Sequence, residues 1–155
     1  MVTESDLYVT KRGDKGKESL NIDKIHSMVG YATEGITGVS ASHVEMNSGI
    51  QFFDGINTED IQQILIKSAN DLISLESPNY QYVAARLLLF SLRKKLFHRL
   101  WEHPKFVDQI KTCVDAGVYD KAILENYTEV EIDRMGMWVD HQRDYTFTYE
   151  GIRQV

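Results

Sequence analysis

Two adjacent bases, Lys11 and Arg12, end the alternating stretch Leu7-Tyr8-Val9-Thr10 and are followed by Gly13. A glycine there lets a ligand come close to the backbone. Lys24 falls in the first turn of a stretch with helical spacing, where the helix dipole disfavours a cation. An anion beside it would remove that penalty, and the free N–H groups of a helix start hold phosphate well. On a separate segment, Phe90 and Lys94 lie four apart and share a helical face. That pair can stack a flat ring and meet a phosphate. Both groups also fit a plainer reading: lysines solvating a hairpin, and a core phenylalanine beside a lysine whose stem snorkels.

Other chemistries are poorly supported. No Gly-x-x-x-x-Gly-Lys-Ser/Thr run is present, so this is not a P-loop. The five histidines (26, 43, 98, 103, 141) show no metal-ligand spacing, and no carboxylate completes a site, so no metal site is expected. Asp140-His141 with Arg143-Asp144 reads as an exposed ion-pair network rather than an acid/base pair. The single cysteine, Cys113, excludes an internal disulfide and a redox pair, and reads as a small buried hydrophobe. That usage fits a reducing, cytoplasmic setting.

The charge is uneven. Residues 1–101 carry 11 basic and 12 acidic side chains, whereas residues 102–155 carry 6 and 11. Between Ser77 and Trp101 there is no acid, and Arg86, Arg93, Lys94, Lys95 and Arg99 fall there. A net charge of −6 with one local basic cluster argues against a general nucleic-acid binder. It is compatible with a pocket for one small polyanion, and equally with a solvated helix face. Hydrophobic residues at 43% and charged residues at 26% mark an ordinary globular chain. No apolar run approaches the roughly 20 residues of a membrane span, and no signal peptide is visible.

These residues must be positioned by a mostly helical chain. Leu7–Arg12, the turn Gly13–Gly16 and Glu18–Asn21 read as a β-hairpin. Asp23 can cap a helix through Ile25, Met28, Val29 and Ala32, ended by Gly35 and Gly38. A short helix around Val44 follows, then an extended piece at Gln51–Phe53. Thr58 is the expected N-cap of a helix carrying Ile61, Ile64, Leu65, Ala69 and Leu72 to about Leu75. Ser77-Pro78 should open a long helix with no break before His103-Pro104. Beyond Trp101 come shorter helices over 106–116 and 119–127, and another from Thr128, where Thr128 and Glu131 form a capping box. The chain stops inside a helical pattern, which suggests a fragment or one half of a divided protein.

Four segments together are informative: Tyr8-Val9-Thr10-Lys11-Arg12, Asn21-Ile22-Asp23-Lys24-Ile25, Asp54-Gly55-Ile56-Asn57-Thr58 and Tyr80-Gln81-Tyr82-Val83-Ala84-Ala85-Arg86. In order and spacing they resemble the ATP-cone, the overall-activity nucleotide domain of ribonucleotide reductases. Tyr119-Asp120, Leu124 to Glu129 and Asp140 to Tyr149 resemble the adjacent helical segment of the class Ia large (α) subunit, in bacterial and phage forms. The resemblance implies an α+β, mostly helical fold: a four-helix bundle capped by a small three-stranded β-sheet, with additional helices after it. It divides the chain into a cone, 1–101, and the start of the helical segment, 102–155, that leads to a catalytic barrel.

The resemblance also implies roles. Lys11, Arg12, Lys24 and Lys94 match positions that engage the triphosphate of ATP or dATP, which would carry Mg2+. Glu18 and Asn21 match positions near the adenine, and Ile25, Phe52, Thr58 and Phe90 match pocket-lining positions. The family commonly carries a histidine where this chain has Gln62, and an amide cannot become cationic. No catalytic residue is implied, so the chain alone should be noncatalytic. Implied partners are the remainder of the α subunit and the small radical-bearing β subunit in an oligomer, with no nucleic acid and no membrane. A different class remains: a free-standing ATP-cone regulatory protein without reductase activity. Regulators of that kind carry a ribbon of paired cysteines, which one cysteine cannot build.

Overall fold

The computed structural model describes residues 7–11, 16–49, 51–98, 100 and 102–154. Arg12 and the middle of the hairpin turn lie outside them. Two compact units are present, Met1–Leu92 with Tyr145–Val155, and Arg93–Asp144. Their boundaries do not follow the change of charge at Trp101.

Period-two alternation builds the sheet of the first unit. β1 (Tyr8–Thr10) exposes Tyr8 and buries Val9. It pairs antiparallel with β2 (Lys17–Ser19), Val9 opposite Glu18, and parallel with β3 (Ile56–Asn57), Val9 opposite Ile56. The third strand is therefore not Gln51–Phe53, which forms a turn and coil instead. Its place is set by three bonds: the Tyr8 N–H donates to Asp54 Oδ1 at 2.9 Å, the Gly55 N–H donates to the Tyr8 carbonyl at 2.8 Å, and the Thr10 hydroxyl donates to the Gly55 carbonyl at 3.2 Å. Gly55 makes this turn at φ +82°, where a side chain would be strained.

Four helices lie with this sheet. α1 (Ile22–Thr33) buries Ile25, Val29 and Ala32 at spacings of four and three. Its cap is Asn21, whose Oδ1 accepts from the Lys24 N–H at 2.9 Å; Asp23 sits in the first turn instead. α2 (Ala41–Gly49) buries Val44 and Ser48. α3 (Thr58–Asp71) is flanked by Asn57, not Thr58, at the capping position, and ends before Leu75. Glu59 and Asp60 in its first turn complement the dipole, as expected. α4 (Tyr80–Phe97) starts three residues after Ser77, which does not cap it; a turn at Pro78 and Asn79 intervenes. It stops at His98, in the left-handed region at φ +57°, well before His103-Pro104. Tyr80, Val83, Ala84, Leu87 and Phe90 of α4 are buried. The four-helix, three-stranded arrangement with further helices after it is the fold expected from the resemblance.

Arg86 closes the far end of α1. Its Nη1 donates to the carbonyls of Glu34, at 2.6 Å, and Ala32, at 3.4 Å. The guanidinium also lies over the Tyr145 ring, 5.2 Å from its centroid. Cations are favoured at this end of a helix dipole.

The second unit has its own small core. α5 (Phe106–Asp115), α6 (Ala122–Asn126) and α7 (Glu129–Gly136) gather Val107, Ile110 and Ile132, with Phe106, Val114, Ile123 and Leu124 packed against them. On the sequence alone, the face with Phe106, Ile110, Val114, Ile123 and Leu124 has too little chain to pack against. In the structure Ile110 is buried with Val107 and Ile132, and Phe106, Val114, Ile123 and Leu124 pack against them while staying partly exposed. The capping box forms as expected, with Thr128 Oγ1 accepting from the Glu131 N–H and Glu131 accepting from the Thr128 N–H. Cys113 is only half-buried, and its sulfur takes a 3.5 Å contact from Gln109 Nε2. A 3-10 helix (His141–Thr146) and α8 (Tyr149–Arg153) complete the chain.

Candidate functional site

Strand alternation puts Lys11 on the same face of β1 as Val9, and the Val9–Glu18 register puts Glu18 there too. Glu18 ion-pairs with Lys11 at 2.8 Å and approaches Lys24 at 3.9 Å. Lys24 is brought in because Asn21 starts α1 directly after β2 and Leu20. Lys11, Glu18, Asn21 and Lys24 therefore form one cluster at the junction of hairpin and α1. A shallow cleft of about 300 Å3, lined by Ser19, Leu20, Asn21, Ile22 and Asp23, opens beside it.

Parallel pairing of β1 with β3 matters for the next group. Thr10 is opposite Asn57, so the residues that follow, Lys11 and Thr58, leave the sheet at the same end. Thr58 is the first residue of the 14-residue α3. The start of α3 thus lies at the Lys11 end of the sheet.

The remaining positions are less alike. Ile25 is buried on α1, and Phe52 is half-buried in the turn before β3. Gln62 is buried on α3, where its Oε1 accepts from the Ser91 hydroxyl of α4 at 3.3 Å. Phe90 is 1% exposed, on the inward side of α4. Lys94 follows Phe90 by one turn on α4 and falls in the second unit. Ser91, the partner of Gln62, and Asp54, which anchors the third strand, were not singled out from sequence. Asp54 opens a family-like segment and Ser91 stands beside the Phe90–Lys94 pair, but their partners, Tyr8 and Gln62, are distant in sequence and only the fold reveals these pairings.

One grouping in the second unit departs from the sequence reading. His103, His141 and Asp144 offer ligand atoms that all lie within 4.8 Å of one another. Their residue spacing hid this, because His103 reaches the other two only through the fold. Asp144 Oδ2 also accepts from Arg93 Nη2 at 2.9 Å, and Arg93 is almost fully buried. The ion-pair network read from Asp140–Asp144 is thus real in part, but it is anchored inward rather than wholly exposed.

Comparison with known proteins bears on the first unit and on the chain as a whole. The ATP cone domain family matches residues 7–95. Ribonucleoside-diphosphate reductase 1 subunit alpha of Escherichia coli (strain K12) is 48% identical over 150 residues, 97% of this chain and 19% of that protein. The subunit alpha of Haemophilus influenzae is 48% identical over 149 residues, 96% of this chain and 19% of that protein. The subunit alpha of Enterobacteria phage T4 is 41% identical over 138 residues, 89% of this chain and 18% of that protein. The chain thus spans about one fifth of the length of these relatives. The segments that position Lys11, Glu18, Asn21, Lys24 and Gln62 all fall inside residues 7–95, and with that match the chain belongs to the ATP-cone family.

Proposed function

We propose that this chain is the allosteric, overall-activity domain of a ribonucleoside-diphosphate reductase α subunit, and that it binds ATP or dATP as effector, with Mg2+ on the nucleotide. The observation that carries nucleotide binding is the cluster of Lys11, Glu18, Asn21 and Lys24 at a helix start. Lys11, Lys24 and, next to Lys11 in sequence, Arg12 supply cations to the triphosphate. Glu18 and Asn21 address the adenine, and Ile25, Phe52, Thr58, Gln62 and Phe90 line the pocket.

The reductase assignment rests on the extent of the likeness, which runs past residue 95 through the second unit. The complete enzyme makes deoxyribonucleotides in the cytoplasm. This chain performs no turnover alone, and it works with the rest of α and with a small radical-bearing β subunit. Among the described residues no helix is long and apolar enough to cross a membrane.

Isothermal titration of the chain with ATP and dATP tests the site. Charge-assisted phosphate contacts are each worth about 1.5–3 kcal/mol. Replacing both Lys11 and Arg12 by Ala should therefore weaken ATP binding at least about tenfold. Unchanged affinity in that variant would remove the assignment of the triphosphate, and no heat with either nucleotide would remove the site.

A further inference from the structure

We propose that His103, His141 and Asp144 form a divalent transition-metal site in the second unit, separate from the nucleotide and its Mg2+. His141–Thr146 forms a 3-10 helix. Residues three apart eclipse each other in such a helix, so His141 and Asp144 stand on one side, with His141 Nδ1 3.7 Å from Asp144 Oδ2. That separation is near the roughly 3.4 Å edge of a tetrahedron with metal–ligand bonds of about 2.1 Å. His103, from the loop between α4 and α5, completes the set, with all three ligand atoms inside 4.8 Å.

The surroundings suit ligation. The His103 and His141 rings stack 3.5 Å apart and 6° from parallel, which keeps their nitrogens close before any ion arrives. Ligation by both rings requires one to swing out of the stack, and His141 is exposed and able to do so. Arg93 takes Asp144 Oδ2 at 2.9 Å and fixes the carboxylate, as outer-shell partners of metal ligands do. A carboxylate retains further lone pairs for a cation. Two imidazoles and one carboxylate select borderline ions such as Zn2+, Co2+ and Ni2+ over Mg2+ and Ca2+.

The test is titration of the chelator-treated chain with Zn2+, without nucleotide, followed by calorimetry. One ion per chain is expected. Loss of an outer-shell partner commonly costs 10–100-fold in metal affinity, so His141→Ala and His103→Gln should each weaken Zn2+ binding at least about tenfold. His141 is exposed and its removal costs only the stack on His103, and circular dichroism of both variants checks that the fold is kept. His26→Ala is the control: His26 pairs with Glu45 at 2.9 Å and belongs to no group of three ligand residues among the described residues, so Zn2+ binding should be unchanged. With Co2+, a ligand-field absorption band should appear and be lost in His141→Ala. No saturable Zn2+ binding, binding that both site variants retain, or loss in His26→Ala would each overturn the proposal.

Discussion

The Ser91 hydroxyl donates to Gln62 Oε1 at 3.3 Å, joining α3 to α4 inside the bundle. The resemblance to the ATP-cone implies a histidine at the Gln62 position. ATP and dATP differ only at the ribose 2′-hydroxyl, and a ligand bound equally by two states shifts neither. A neutral amide held by Ser91 offers no cation to a phosphate. On the proposed function, the expected outcome is weak or absent dATP inhibition of the assembled reductase, and stronger inhibition after Gln62→His. Reductase activity measured against rising dATP for both chains checks this, and strong inhibition of the natural chain would contradict it.

Glu18 lies between the two lysines that the proposed triphosphate must reach. Its carboxylate satisfies them but repels a polyanion. Exposed ion pairs are worth about 0.2–1 kcal/mol. Glu18→Gln should therefore tighten binding of inorganic triphosphate, which has no adenine, by up to about fivefold. Calorimetry at low salt reads this out, and weaker binding would mean that Glu18 organises the lysines rather than competing for them.

Two glycines should respond oppositely to alanine. At Gly136 a new Cβ would meet Phe106 Cβ at 2.5 Å and Cγ at 2.9 Å, within the core of the second unit. Overpacking of this kind costs about 1–3 kcal/mol. At Gly30, inside α1, nothing lies within 4 Å. There the gain in helix propensity is about 1 kcal/mol. Denaturant midpoints of Gly136→Ala and Gly30→Ala should move down and up respectively.

Glu131 carries a pH signature. Accepting from the Thr128 backbone N–H, and then from its hydroxyl, holds its carboxyl below the ordinary value of 4.5. The folded pKa is depressed, so the stabilisation is present above about pH 4.5 and is lost as pH falls through the lower, folded value. Glu131→Gln keeps a capping acceptor but no titration. Its stability, followed by thermal melts from pH 7 to pH 3, should fall less steeply than that of the natural chain.

The hairpin and the capping box were readable because their signals are local: alternation around Val9, and Thr128 three before Glu131. The helices of the bundle were readable from spacing for the same reason. Their ends were not. Asn21 and Asp23 are both good capping residues, and the chain selects Asn21 because it is the extended residue directly after the hairpin. The apolar Gln51–Phe53 piece imitates a strand better than the two residues Ile56 and Asn57, whose strand character comes entirely from pairing with β1. Within the site, the positions of Lys11 and Lys24 followed from hairpin and helix periodicity. Their shared carboxylate, the Gln62–Ser91 bond and the His103–His141–Asp144 group depend on segments far apart in sequence.

Arg86 makes α1 a lever with a pinned heel. Sliding the helix one residue along its axis, about 1.5 Å, would break the 2.6 Å bond to the Glu34 carbonyl. The half-buried guanidinium would then lose partners at a cost of about 1–3 kcal/mol. Tilting about Thr33 and Glu34 keeps that bond. A ligand seated against Asn21 and Lys24 is therefore expected to turn α1 rather than translate it, with the hairpin end moving farthest.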